Sequence, residues 1–121
     1  MSSRKLITWM ASSRKDLAAM PVAVKRDFGG ALHAVQDGRT PEGAKSLKGK
    51  ARGAMQLSED HDGETYRAVY TVELEDAVYV LHCFQKKSKS GIATPQADID
   101  LIERRLKDAR ALHAQRIRKT P

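Results

Sequence analysis

Three cationic residues offer this sequence its most specific chemistry: Arg67, inside the alternating stretch 65–74, and Lys86 and Lys87, just beyond the apolar run 77–84. A two-residue turn at Glu75 and Asp76 pairs Leu74 with Ala77, and counting outward sets Arg67 opposite Phe84. Opposed residues point to one face, so Lys86 becomes the diagonal neighbour of Arg67, about 7–8 Å away. Lys87, at the strand end, can swing to either side, and a one-residue slip in register exchanges the two lysines. Gln56 or Ser58, on the preceding strand, adds a neutral neighbour. The polar stretch 59–64 between those strands is too long to set their register.

A guanidinium is a planar fork that fits phosphate oxygens. A lysine crowded by other cations has its charged form disfavoured, which moves its pKa toward the range useful for proton transfer. Such a cluster suits metal-independent cleavage of RNA. The ribose 2′-OH attacks phosphorus, the added negative charge is stabilised, and the 5′-oxygen leaves. Electrostatic stabilisation of that charge is usually the largest single contribution. The same residues with Lys89 and the serines around it also describe a basic loop that only binds nucleic acid. The catalytic reading needs the Arg67 guanidinium on the lysines' face and not locked in the interior; it is expected to be exposed there, so that replacement by alanine leaves the fold intact.

Other polar residues read as structural. His82 falls on the Arg67 face among apolar neighbours, though imidazole titrates near neutral pH. The acidic stretch 60–64 lacks the spacing of a calcium loop and contains Asp62-Gly63, a hairpin signal. Cys83 reads as a small buried residue facing the helices, with Tyr66, Tyr70 and Tyr79 on that same face as core.

The chain has 121 residues, a net charge of +7 and one cysteine. Its length fits one domain over residues 1–121, with flexible ends at about 1–3 and 116–121. The charge attracts RNA, DNA, an acidic protein or an anionic membrane without choosing among them. A lone cysteine excludes a disulfide framework and a cysteine-rich zinc site. No stretch approaches the roughly 20 apolar residues of a membrane span, and Leu6-Ile7 is too short for a signal peptide's apolar region. A cytoplasmic protein without membrane partner or cofactor is expected.

The elements that must position the cluster follow from periodicity. Residues 5–9 read as a strand. Ser12 or Ser13 caps a helix beginning near Arg14 and marked by Leu17 and Met20. Pro21 opens a second helix, whose stripe is Val24, Phe28, Ala31, Leu32 and Val35. Gly29-Gly30 weakens it by about 1 kcal/mol per glycine, as a close approach to the sheet would explain, and Gly38 ends it in the left-handed conformation. Residues 38–53 read as an exposed basic connection. Strands follow at 54–58, 65–74 and 77–84. Pro95 starts a final helix with Ile99, Ile102, Leu106 and Ala109 inward, extended by Leu112 or His113, and with Arg104, Arg105, Lys107 and Arg110 outward. The order β-α-α-β-β-β-α predicts an α+β domain, its helices packed on one face of an antiparallel sheet. Lys48, Lys50, Arg52 and the last helix's arginines are candidates for contacts to nucleic acid, or ordinary solubilising charge.

The strings Thr65-Tyr66-Arg67-Ala68-Val69-Tyr70-Thr71-Val72 and Val78-Tyr79-Val80-Leu81-His82-Cys83-Phe84-Gln85-Lys86-Lys87-Ser88-Lys89, then Thr94-Pro95 and a closing helix, resemble the HigB-like, phage-related branch of the RelE/ParE toxin superfamily. The resemblance implies a RelE-like fold and a ribosome-dependent mRNA endonuclease that slows translation. Its implied partners are the ribosome, mRNA and a cognate antitoxin with a helix-turn-helix domain. It assigns Arg67 to the scissile phosphate and Lys86 and Lys87 to the basic pair. By charge and strand position, Lys48, Lys50, Arg52, Gln56, Ser58 and Lys89 are candidate RNA contacts around them. Gln56 and Ser58 are neutral where many such nucleases are basic, which leaves the general base to Lys86 or Lys87. A ParE-like toxin that inhibits a protein target such as DNA gyrase, or a silent member that only binds antitoxin or nucleic acid, is the alternative. Oligomeric state is left open.

Overall fold

The computed structural model describes residues 4–86 and 94–119. The elements run β1 (Leu6–Trp9), α1 (Ser13–Ala18), α2 (Val22–Gln36), β2 (Lys45–Ser46), a 3-10 turn (Gly49–Ala51), β3 (Met55–His61), β4 (Glu64–Thr71), β5 (Ala77–Lys86) and α3 (Gln96–Lys119). The strands form one five-stranded sheet in the order β1-β5-β4-β3-β2. β1 lies parallel to β5, and the remaining pairs are antiparallel.

The β3–β4 hairpin departs from expectation in a useful way. The polar residues 59–61 continue the strand, and only Asp62 and Gly63 form the turn. Both have positive φ, 49° and 78°, as a type I′ turn requires. The turn locks His61 opposite Glu64, and therefore Ser58 opposite Arg67. The stretch expected to leave the register open is what sets it.

The β4–β5 pairing contains a bulge. Tyr70 pairs with Val80 but Val69 pairs with His82, so Leu81 is the extra residue. Beyond it the expected register holds: Ala68 opposes Cys83 and Arg67 opposes Phe84. Nearer the turn the pairing is displaced by one residue. β4 stops at Thr71, and Leu74 instead accepts a hydrogen bond from the Ala77 N–H. An extra residue re-aims the side chains on either side of it. Leu81 and His82 therefore both face α3, and Tyr79 packs there too, away from the face it was expected to share with Tyr66 and Tyr70.

The sheet is covered on both faces, which corrects the one-face arrangement. On one side Leu17, Met20, Val24, Phe28, Leu32 and Val35 of α1, α2 and the residue between them pack on Leu57, Ala68, Tyr70, Val78, Val80 and Cys83. On the other, Ile102, Leu106 and Ala109 of α3 pack on Val69, Tyr79, Leu81 and Phe84. Each fully buried aliphatic or aromatic side chain contributes about 1.5–3 kcal/mol.

Gly38 (φ 84°) ends α2 as expected, with Arg39 and Gly38 N–H groups returning to the Ala34 and Val35 carbonyls. Gly29 and Gly30, however, face solvent with no atom within 4 Å of a Cβ built on either, so no close approach explains them. Neither serine caps α1 through its side chain: Ser12 Oγ donates to Asp16 and Ser13 Oγ to the Val80 carbonyl. The expected connection 38–53 contains β2, which pairs Lys45 with Gln56 and Ser46 with Met55. It also contains the buried Ala51. α3 continues through Arg116, whose guanidinium donates to Thr8 Oγ1 at 2.9 Å, so the helix extends into the segment expected to fray.

Candidate functional site

The strand register assembles the site. Ser58, Arg67 and Phe84 form one cross-strand row on the α3 face, and Asp60, Thr65 and Lys86 form the next. Gln56 opposes Val69 one row inward. Together with Lys45, Lys48, Thr94 and Ile99 these polar residues line a groove of about 850 Å³ at the end of the sheet where α3 begins. Lys86 is thus the diagonal neighbour of Arg67, on the same face, as the residue count required.

Arg67 is not exposed as expected: only 5 % of its surface is accessible, and it forms the floor of the groove. Its Nη1 donates to Thr94 Oγ1 at 2.7 Å, and Thr94 Oγ1 in turn donates to Gln56 Oε1 at 2.9 Å. Gln56, the neutral neighbour, therefore acts through Thr94. A hydrogen bond from a charged donor contributes about 1.5–3 kcal/mol, enough to hold the guanidinium in one orientation. Burial lowers the Arg67 pKa, and the Asp60 and Asp98 carboxylates oppose that shift. A guanidinium stays charged regardless.

Lys86 is also largely covered. Desolvation lowers its pKa, and the Arg67 charge lowers it further. This is the direction that a lysine crowded by a cation requires for proton transfer.

The remaining predicted contacts divide. Ser58 is exposed beside Arg67, and Lys48 lines the groove. Lys50 and Arg52 line a separate cleft with Gly53, Glu73 and Arg110. There Arg110 Nε pairs with Glu73 at 2.6 Å and Nη2 donates to the Arg52 carbonyl, tying the basic turn to α3. Lys87 and Lys89 lie outside the described residues. Sequence reasoning missed Asp60, Thr94 and Lys45 as groove residues. Asp60 was within reach, because the Asp62-Gly63 turn places it in register with Gln56 and Ser58.

His82 is structural in its contacts. Its Nε2 lies 2.8 Å from Asp98 Oδ1, its ring stacks on Phe84 at 4.4 Å, and Nδ1 meets Arg105 Nη1 at 3.4 Å. Arg105, expected on the outer face of α3, turns inward and donates to the Leu81 carbonyl at 2.9 Å. A proton on Nδ1 would face that guanidinium, so the neutral ring with Nε2–H toward Asp98 fits. Burial lowers the His82 pKa, opposed by Asp98. Cys83 is buried, which pushes its thiol up to about 12. Among the described residues no cluster of His, Cys, Asp and Glu could hold a metal ion, and no helix is long and apolar enough to cross a membrane.

The fold recurs in the toxin–antitoxin complex RelBE2 from Mycobacterium tuberculosis. That likeness has a TM-score of 0.50 and 19 % identity, over 73 % of this chain and 98 % of that one. The architecture, a five-stranded, mostly antiparallel sheet with three helices, is that of a RelE-like toxin fold, as the strand sequences implied. Residues 15–107 match the model of the family described as phage derived protein Gp49-like (DUF891), and the chain belongs to that family. No curated protein matches it.

Proposed function

We propose that this protein is the toxin of a type II toxin–antitoxin system and a metal-independent endonuclease that cleaves mRNA on the translating ribosome, within the HigB-like branch. The observation that carries the reading is the meeting of Arg67 and Lys86 in one groove. Arg67, on the middle strand, is held by Thr94, and Lys86 stands on its diagonal. In this reading the Arg67 fork binds the scissile phosphate and stabilises the charge that grows on it. Lys86 and Lys87 handle proton transfer, and Lys45, Lys48 and Ser58 hold flanking phosphates or sugars. Lys50, Arg52 and Lys89 make further contacts to RNA.

The family membership and the RelE-type fold support the toxin role. The likeness to a protein solved as a toxin–antitoxin complex supports a cognate antitoxin, here a helix-turn-helix protein. A ribosomal target makes the site of action cytoplasmic.

Expression of the protein followed by mapping of cellular mRNA 5′ ends tests this. New cuts within translated frames are expected, absent with the Arg67→Ala variant once its folding is verified. Intact mRNA with DNA damage would point instead to inhibition of a protein target such as gyrase. Intact mRNA and unimpaired growth would point to a silent binding protein.

A further inference from the structure

Three adjacent strands present side chains to the groove, with β4 in the middle. Arg67 is on β4, Asp60 on β3 to one side and Lys86 on β5 to the other, and Asp60, Thr65 and Lys86 share a cross-strand row. We propose that Asp60 is the general base of the cleavage reaction, taking the proton of the attacking 2′-OH while Lys86 delivers one to the departing 5′-oxygen. The inference rests on the nuclease reading above and fills the base role that the lysine pair would otherwise have to share.

The argument is one of placement. Strands lie about 4.8 Å apart, so the backbones of Asp60 and Lys86 are about 10 Å apart across β4. In-line displacement puts the entering and leaving oxygens on opposite sides of phosphorus. Base and acid must therefore flank the phosphate rather than sit together. A phosphate held on the Arg67 fork has the carboxylate on one side and the ammonium on the other. Lys86, on β5, flanks the phosphate from one side only, so a base has to come from the other.

Asp60 is also oriented. Thr65 Oγ1 donates to its Oδ1 at 2.9 Å, which steadies the carboxylate and leaves Oδ2 to accept a proton. The residue is exposed and open to substrate. The charged groups sharing the groove with it are Lys45 and Lys48 from β2 and the residues after it, Arg67 from β4 and Lys86 from β5. All four are cations.

The step balances. The O2′–H proton passes to Asp60 Oδ2, the O2′–P bond forms, the P–O5′ bond breaks, and an Nζ proton of Lys86 passes to O5′. The products are a 2′,3′-cyclic phosphate and a 5′-hydroxyl, and exchange with water restores both side chains. Burial and the neighbouring guanidinium ease the release of the lysine proton.

The test is single-turnover cleavage of a defined mRNA on purified translating ribosomes by the full chain. Asp60→Asn keeps the side-chain shape and the acceptor for Thr65 but cannot take a proton. Its rate is expected to fall about 100-fold or more, without weaker binding to the ribosome. A substrate whose leaving 5′-oxygen is replaced by sulfur departs without protonation. That substrate should rescue Lys86→Met and leave Asp60→Asn slow. If the wild type cleaves and Asp60→Asn cleaves equally fast, or is rescued by the sulfur substrate, Asp60 is not the base. If the wild type leaves the mRNA whole, the nuclease reading itself falls and takes this inference with it.

Discussion

Arg67 of β4 and Thr94, two residues ahead of α3, are joined by a 2.7 Å hydrogen bond, so the start of the last helix orients the cation at the floor of the groove. Thr94 passes the contact on to Gln56 at 2.9 Å. Removing the hydroxyl with Thr94→Val should loosen the guanidinium and slow cleavage about 10-fold, the equivalent of roughly 1.4 kcal/mol for one bond from a charged donor. Thr94→Ser should restore the rate, and thermal melts should show both variants folded. Equal rates for valine and serine would show that the hydroxyl positions nothing.

The burial of Arg67 changes what its removal should do. Arg67→Ala strands Thr94 and Gln56 and opens space at the groove floor. A loss of about 1–3 kcal/mol of stability is expected in denaturant titrations, along with a fall in cleavage of about 10²–10³-fold. Arg67→Lys should recover stability better than activity, because an ammonium cannot reproduce the fork.

His82 makes stability depend on pH. Its folded pKa is lowered from 6.5, so the unfolded chain binds its proton more readily than the folded one. The stability it contributes is complete above about pH 6.5 and is lost as pH falls toward the lower folded value, with a slope of at most about 1.4 kcal/mol per pH unit. Denaturation midpoints measured between pH 7.5 and 5 should fall in the wild type and fall less steeply in His82→Gln. Parallel curves would remove His82 as the source.

Gly29 and Gly30 lie in the middle of α2 with open space around them. Alanine at either position should raise stability by about 0.5–1 kcal/mol, since it restricts the unfolded chain and meets no obstacle. A loss of stability in calorimetry would mean that something packs on this helix face in solution.

Periodicity alone carried much of this protein. The α2 stripe of Val24, Phe28, Leu32 and Val35 and the α3 stripe of Ile102, Leu106 and Ala109 are buried as spaced, because a 3.6-residue repeat leaves one face of a helix no alternative. The pairing of Arg67 with Phe84 came out as counted, but only because the extra residue at Leu81 offsets the one-residue displacement nearer the turn.

Tertiary structure decided what local pattern cannot encode. The bulge at Leu81 sends Leu81 and His82 to one face, and an inserted residue leaves no mark in alternation when the whole strand is apolar. β2 is two residues long and exists only because β3 offers an edge to it. The inward turn of Arg105 and the reach of Thr94 to Arg67 join positions distant in sequence, and pairings of that kind are set by how α3 lies across the sheet. The helix stripes and the three-strand meander were local matters; the place of β1 beside β5 and of β2 at the other edge was not. Which polar atoms meet at the groove depended on packing between elements, where each contact answers to all the others.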